Sequence, residues 1–435
     1  MIEGIFTLVF VLLVLFGVAI GTPLFAIIGG LGLYFFSSVN TPTSVMIVEI
    51  GRIANLPGII AIPLFTFSGY LLAESKAPIR LIQLSSAFLS WLPGGLGIVV
   101  LVGSAIFTAL TGANAVAIIA IGGILLPALV GAGYDEKFSL GIVTASGSLG
   151  VLFPPSLAVI IYSIFSQTDI VLLYIGGVLP GLLMIFILGI YTVWYAKRSD
   201  MKSESLSISK IAEAIKDAKW EIPLPFVIVI GMFTGIITVG EAAAVTAAYV
   251  IIVECFLTKD VPFNKLTEVI VDSMVMAGAL MVIFGLALGL TNFMVYQHVP
   301  EKILAFLQQY FTSKYSFLFA LNIFLLVVGC MMDMFTAILV VVPLILPIAK
   351  SYGIDQVHLG VIFLSNLTIG FLTPPIGLDL FIASIRFNKP VVDIFRSTIP
   401  FFIILLMTLL VITYWPELSL FLIDVMGKRP PLIVI

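Results

Sequence analysis

The sequence predicts an all-α polytopic membrane protein, with about ten transmembrane helices plus two re-entrant hairpins arranged as an inverted repeat. Three observations predict it. Hydrophobic residues make up 61% of the chain and charged residues 10%, with a mean hydropathy of +1.25; a soluble domain carries about a quarter charged residues. Apolar runs of roughly 20 residues, the length that crosses a bilayer core of about 30 Å, recur from end to end. A shift of 220 positions lays one half of the chain on the other. The recurring runs exclude a lone leader followed by a soluble body. A net charge of −3 without a strongly basic stretch excludes a nucleic-acid binder. Two cysteines, Cys255 and Cys330, lie in apolar surroundings and supply neither a disulfide framework nor metal spacing.

The first half covers 1–195. Runs at 4–20 and 22–38 make two spans split at Gly21-Thr22-Pro23, and a third covers about 57–74. The stretch 96–131 is too long for one span and carries Thr111-Gly112-Ala113-Asn114 at its midpoint, which predicts two half-depth helices meeting in a re-entrant hairpin. A broken helix over about 138–165 and a span over 171–195 complete the half. The polar stretch 196–221 follows, where Ile211, Ile215 and Trp220 predict a short interfacial connector helix. The second half, 222–435, repeats the order: spans at 222–238, 241–257 and 270–296, a hairpin at 316–349, a broken helix at 357–385, and a span at 398–424.

Each half then has five crossings and one hairpin that returns to its starting side, so the halves insert in opposite senses. With the 196–221 linker in the cytoplasm, fourteen of the 20 Lys and Arg fall on that side, as positive-inside bias requires. Both termini then face outward.

The repeat is visible residue by residue. At the 220 shift Leu126-Pro127 meets Leu346-Pro347, Gly133 meets Gly353, Asp135 meets Asp355, Gly150 meets Gly370, and Pro154-Pro155 meets Pro374-Pro375. Proline lacks an amide hydrogen and clashes with the preceding turn, so two together break a helix. Broken helices at matching positions mark secondary transporters, whose sites lie where the backbone unwinds. Freed carbonyls beside Ser146, Ser148, Asn366 and Thr368 suit a hard cation, and the exposed half-helix N-termini suit an anion. The plainer reading is a pair of kinks with small residues for close packing.

The hairpin midpoints carry complementary groups. Asp333 sits amid Met331, Met332, Met334 and Phe335, where a carboxylate costs about 2.5–3.5 kcal/mol on the lenient insertion scale. A bound cation compensates it; a tip reaching water, or protonation in a proton-coupled carrier, also does. Glu241 at a span start suits a helix N-terminus. Glu254 reads as interfacial beside Lys259, Asp379 as a partner of Arg386 or a cavity-facing group, and His298 and His358 as loop residues. An HExxH metal motif, a nucleophile elbow and a spaced His/Asp constellation are all missing, so an intramembrane enzyme is not expected.

The segments 145–156, Asp333 to Pro347, and Gly360 through Leu378 resemble the large, DctM-type membrane subunit of tripartite ATP-independent periplasmic (TRAP) transporters over essentially the whole chain. The resemblance implies a scaffold and a mobile domain working as an elevator-type ion transporter in the bacterial inner membrane. The implied partners are a small four-helix membrane subunit, a periplasmic substrate-binding protein and the surrounding lipid. The implied coupling ion is Na⁺, and the implied substrates are small organic anions, including C4-dicarboxylates and acid sugars such as sialic acid. Carried over by residue, the sodium ligands are Gly112, Asn114, Gly150 and Pro154 in one half and Asp333, Thr336, Thr373 and Gly377 in the other, with Ser146, Ser148, Asn366 and Thr368 as candidate substrate contacts. The chain departs from the family pattern at Thr238-Val239-Gly240-Glu241, at the Gly112-Ala113-Asn114 tip, and at Asp379, where an amide is more usual. A proton-coupled carrier, or one working without a binding protein, is the alternative.

Overall fold

The computed structural model describes residues 22–39, 41–56, 58–112, 114–199 and 207–428. The expected span at 4–20, the tip residue Ala113 and both termini lie outside the described residues. Among those residues the chain is helical, with twenty α-helices.

Before the first hairpin come α1 (Leu24–Ser38), α2 (Ser44–Arg52), α3 (Ala61–Glu74) and α4 (Ala77–Leu89). The hairpin is α5 (Gly95–Thr111) and α6 (Asn114–Gly131). The broken helix is α7 (Glu136–Ser146), a 3₁₀ turn over Leu149–Leu152, and α8 (Leu157–Ser166), with the two segments bent by 46°. Then α9 (Ile170–Arg198) closes the half, and α10 (Ile208–Asp217) forms the connector. The second half runs α11 (Pro223–Phe233), α12 (Val239–Ile251) with a π turn over Ile252–Leu257, α13 (Phe263–Tyr296) and α14 (Val299–Tyr310). Its hairpin is α15 (Lys314–Met331) and α16 (Met334–Ser351), its broken helix α17 (Gln356–Gly370) and α18 (Leu378–Phe387), followed by α19 (Val391–Tyr414) and α20 (Glu417–Val425).

Element bounds repeat at the same shift as the residues. The α6 range plus 220 is the α16 range, and α7, α8 and α9 fall on α17, α18 and α19 within a few residues. The repeated residues have structural duties. Asp135 caps α7 by accepting the Lys137 amide at 3.0 Å, and Asp355 caps α17 by accepting the Val357 amide at 2.8 Å; such caps contribute about 1 kcal/mol each. Gly133 and Gly353 turn the chain just before them with φ of +94° and +68°, a region open to glycine.

Seven described helices are long and apolar enough to cross a membrane, or eight with α7–α8 taken as one span. Three of the seven, α6, α15 and α16, are hairpin arms of 18 residues each, so length alone does not separate an arm from a crossing. The third span of the first half differs from expectation. Expected over 57–74, it is α3, and α2 precedes it; the two together stand where the second half has one helix of 34 residues, α13. The sequence reading had no place for α2, α4 or α14, and its single last span, 398–424, is divided between α19 and α20. His358 is not in a loop but in the first turn of α17, buried against Ser419 and Thr413; His298 stands just before α14, exposed and without a capping bond.

Two groups of helices result. In one, α13 packs on α1, α2 and α3, and α12 on α3. The other joins the hairpins, broken helices, α9 and α19. Within it α16 packs on α8 and α6 on α18. The second arm of each hairpin therefore rests on the far half-helix of the opposite repeat, as exchange about a two-fold axis produces.

Candidate functional site

Each break lies against a hairpin tip. At the first, α5 ends at Gly112 with φ +67°, and a side chain there would press on Leu157 at the start of α8. Asn114 opens α6, is buried, and donates from Nδ2 to the Ser148 hydroxyl at 3.0 Å. The Ser148 hydroxyl donates in turn to Asp379 Oδ2, from the first turn of α18 in the other repeat. One turn back along α5, Thr108 donates to the Gly147 carbonyl at 2.7 Å. Gly150 sits in the 3₁₀ turn so close to α5 that a Cβ would lie 2.7 Å from the Ala109 amide nitrogen, and its carbonyl accepts the Phe153 amide at 3.1 Å. Pro154 is half-buried on the wall of an apolar cavity of about 810 Å³ shared with Phe153, Val102, Ile185 and Phe226.

At the second break, Asp333 is half-buried and caps α16: Oδ1 accepts the Thr336 amide at 3.0 Å and Oδ2 accepts the Thr336 hydroxyl. These two bonds satisfy part of the carboxylate locally, which is why a charge can stand among methionines. Thr373 donates to the Gly370 carbonyl at 2.6 Å, and the Gly377 amide donates to the Cys330 carbonyl at 3.1 Å, tying break to tip. Gly377 has φ +48°. Pro374, Pro375 and Ile376 are exposed, whereas Pro155 and Ser156 are buried.

The four polar residues beside the breaks part company. Ser148 reaches the tip. Ser146 donates to the Val143 carbonyl and shares a hydroxyl–hydroxyl bond with Ser104, both at 3.0 Å, and Asn366 donates to Asn322 Oδ1 at 2.7 Å and the Ile362 carbonyl at 2.8 Å. These repeat-mates both tie a broken helix to the first arm of its hairpin. Thr368 donates to the Ser365 carbonyl at 2.8 Å within α17.

Several groups lie elsewhere than the sequence suggested. Asp379 is fully buried and takes Ser148, while Arg386 is exposed and donates to the Ile119 carbonyl at 3.0 Å. Glu254 is fully buried near a span end and pairs with Arg80, not Lys259. Glu241 does cap its helix, in a box with Thr238. Pairing across 231 positions, as between Ser148 and Asp379, leaves no local pattern; the available signal was a carboxylate one turn past a Pro-Pro break.

Hairpin tips meeting broken helices, at matching places in two repeated halves, define a membrane protein of the secondary-transporter class. The chain belongs to the DctM component family of tripartite ATP-independent periplasmic transporters, whose model matches residues 7–418. It is 33% identical over 371 residues to the C4-dicarboxylate TRAP transporter large permease protein DctM of Pseudomonas aeruginosa, covering 85% of this chain and 87% of that protein. It is 33% identical to the isethionate TRAP transporter permease protein DctMQ of Oleidesulfovibrio alaskensis over 92% of this chain but only 64% of that longer protein. It is 31% identical to the ectoine/5-hydroxyectoine large permease UehC of Ruegeria pomeroyi, over 96% of this chain and 97% of that one. The fold is similar to that of the YdaH transporter of Alcanivorax borkumensis, with TM-score 0.59 and 13% identity over 84% of this chain and 86% of that one. The relatives are permeases, and this chain is a multi-pass membrane protein of their kind rather than an enzyme.

Proposed function

We propose that this chain is the permease of a three-part, Na⁺-coupled importer for a small organic anion in the bacterial inner membrane. The observation that carries the reading is the second tip and break. There the tip carries a half-buried carboxylate, Asp333, with the Thr336 hydroxyl, and the unwound break carries Thr373 and Gly377, whose amide bonds the Cys330 carbonyl of the tip's first arm. Oxygen donors with one net negative charge are the ligand type a hard monovalent cation takes. The first break offers Gly112, Asn114, Gly150 and Pro154 in the matching place. The N-termini of α8 and α18 provide positive dipole ends for a substrate carboxylate.

The relatives named for C4-dicarboxylate, isethionate and ectoine transport support a small organic acid or zwitterion as substrate. A periplasmic binding protein delivers it, and a small membrane subunit completes the assembly; the DctMQ relative is a longer chain in keeping with such a subunit. The helices carrying both breaks move as an elevator against the group built on α13. Both termini face the periplasm.

Reconstituted with its partners, the transporter takes up substrate only under an inward Na⁺ gradient, and Asp333→Ala reduces that uptake to background while the chain still inserts. Equal uptake on a proton gradient alone, or near-normal Asp333→Ala uptake, overturns the sodium reading. Transport without any binding protein overturns the tripartite one.

A further inference from the structure

The two breaks differ in where their negative charge comes from. The second hairpin brings its own carboxylate, Asp333, at the tip. The first hairpin tip offers Asn114, an uncharged amide. A carboxylate nevertheless reaches the first break, from the other repeat: Asp379 on α18.

Asp379 is fully buried. Its Oδ2 accepts the Ser148 hydroxyl, and Ser148 itself accepts Asn114. Its Oδ1 is buried without a hydrogen-bond partner. The repeat-mate of Asp379 is Val159, so the fold does not require a carboxylate at this place. Burying one with an orphaned oxygen is costly unless a cation or donors answer it. Arg386, two turns along the same helix, is turned away to the Ile119 carbonyl. The amides at the start of α18 offset only a fraction of a charge.

We propose that Asp379, together with Ser148 and Asn114, forms a sodium site at the first break that both repeats build jointly, Asp379 supplying the charge that the first hairpin lacks. The proposal rests on the sodium-coupled reading above and adds to it a ligand from the opposite half. It also makes the site depend on α6 and α18 being packed together, so sodium holds the two repeats in one arrangement.

The test is thermal unfolding of the purified chain in detergent, titrated with NaCl against choline chloride at constant ionic strength. Wild type is stabilised with a saturable sodium dependence. Asp379→Asn keeps shape and hydrogen bonding but removes the charge, and raises the half-saturating sodium concentration about tenfold or more. The swap Asn114→Asp with Asp379→Asn returns one carboxylate to the same cluster and restores the concentration to within about threefold of wild type. Asp379→Asn titrating like wild type overturns the site while leaving sodium coupling intact. Wild type without any sodium response removes the coupling reading itself. Should Asp379→Asn not survive purification, the swap decides alone: a folded swap variant that sodium does not stabilise overturns the proposal.

Discussion

Arg80 shows what single residues do here that neighbours in sequence cannot reveal. It reaches from α4 to Glu254 at 3.2 Å, and to Glu221 and Asp260. Its side chain is 13% exposed, and those of Glu221 and Glu254 are 2% and 1%. Arg80→Ala leaves two buried carboxylates unpaired, a loss of about 3–5 kcal/mol, read as a lowered unfolding temperature in detergent. Burial holds Glu221 above the usual carboxylate range, against the pull of Arg80. An acid raised in the folded state favours folding when protonated, and that contribution is lost as pH rises through its folded value. The Arg80→Ala defect is therefore smaller at pH 5 than at pH 7, measured by the same unfolding. Neither this cluster nor the Ser148–Asp379 link was legible in the sequence. Their members lie 141 to 231 positions apart, and a local reading set Glu254 beside Lys259 and Asp379 either with Arg386 or facing a cavity. Asp333 was legible, because a lone acid among methionines is conspicuous wherever the chain folds.

At the scale of elements, hairpins and breaks were readable from Pro-Pro pairs and small polar midpoints, since only broken backbone tolerates them in an apolar run. The helices α2, α4 and α14 were not, being short and partly exposed, without the 20-residue length that announces a crossing. Gly150 and Gly370 gain a second meaning from the structure. A Cβ on Gly370 would lie 2.8 Å from the Gly329 Cα, and one on Gly150 would lie 2.7 Å from the Thr108 Cβ. Both glycines let a broken helix touch the first arm of its hairpin. Gly370→Ala meets backbone that cannot rotate away and costs about 1–3 kcal/mol. Gly329→Ala acts on the same contact, so the double variant loses less than the two single losses added. Thermal unfolding of the three variants distinguishes this from independent effects.

The molecule as a whole is less symmetric than its sequence. Ser156 and Ile376 are repeat-mates directly after the two Pro-Pro breaks, and they are 2% and 50% exposed. On a background without Cys255 and Cys330, Ile376→Cys reacts readily with a water-borne maleimide in this arrangement, and Ser156→Cys is protected. Labelling measured with and without substrate shows whether the two exchange accessibility, as alternating access requires. The rule that most shapes this fold is the crossed packing of α16 on α8 and α6 on α18. A chain with only one repeat could cover those faces only by pairing with a second copy of itself. Such a pairing is self-complementary, and joining its members through a connector such as α10 frees each to change alone. The carboxylate on one hairpin tip and the amide on the other show such freedom in use: duplicated parts, once tethered, need no longer be identical.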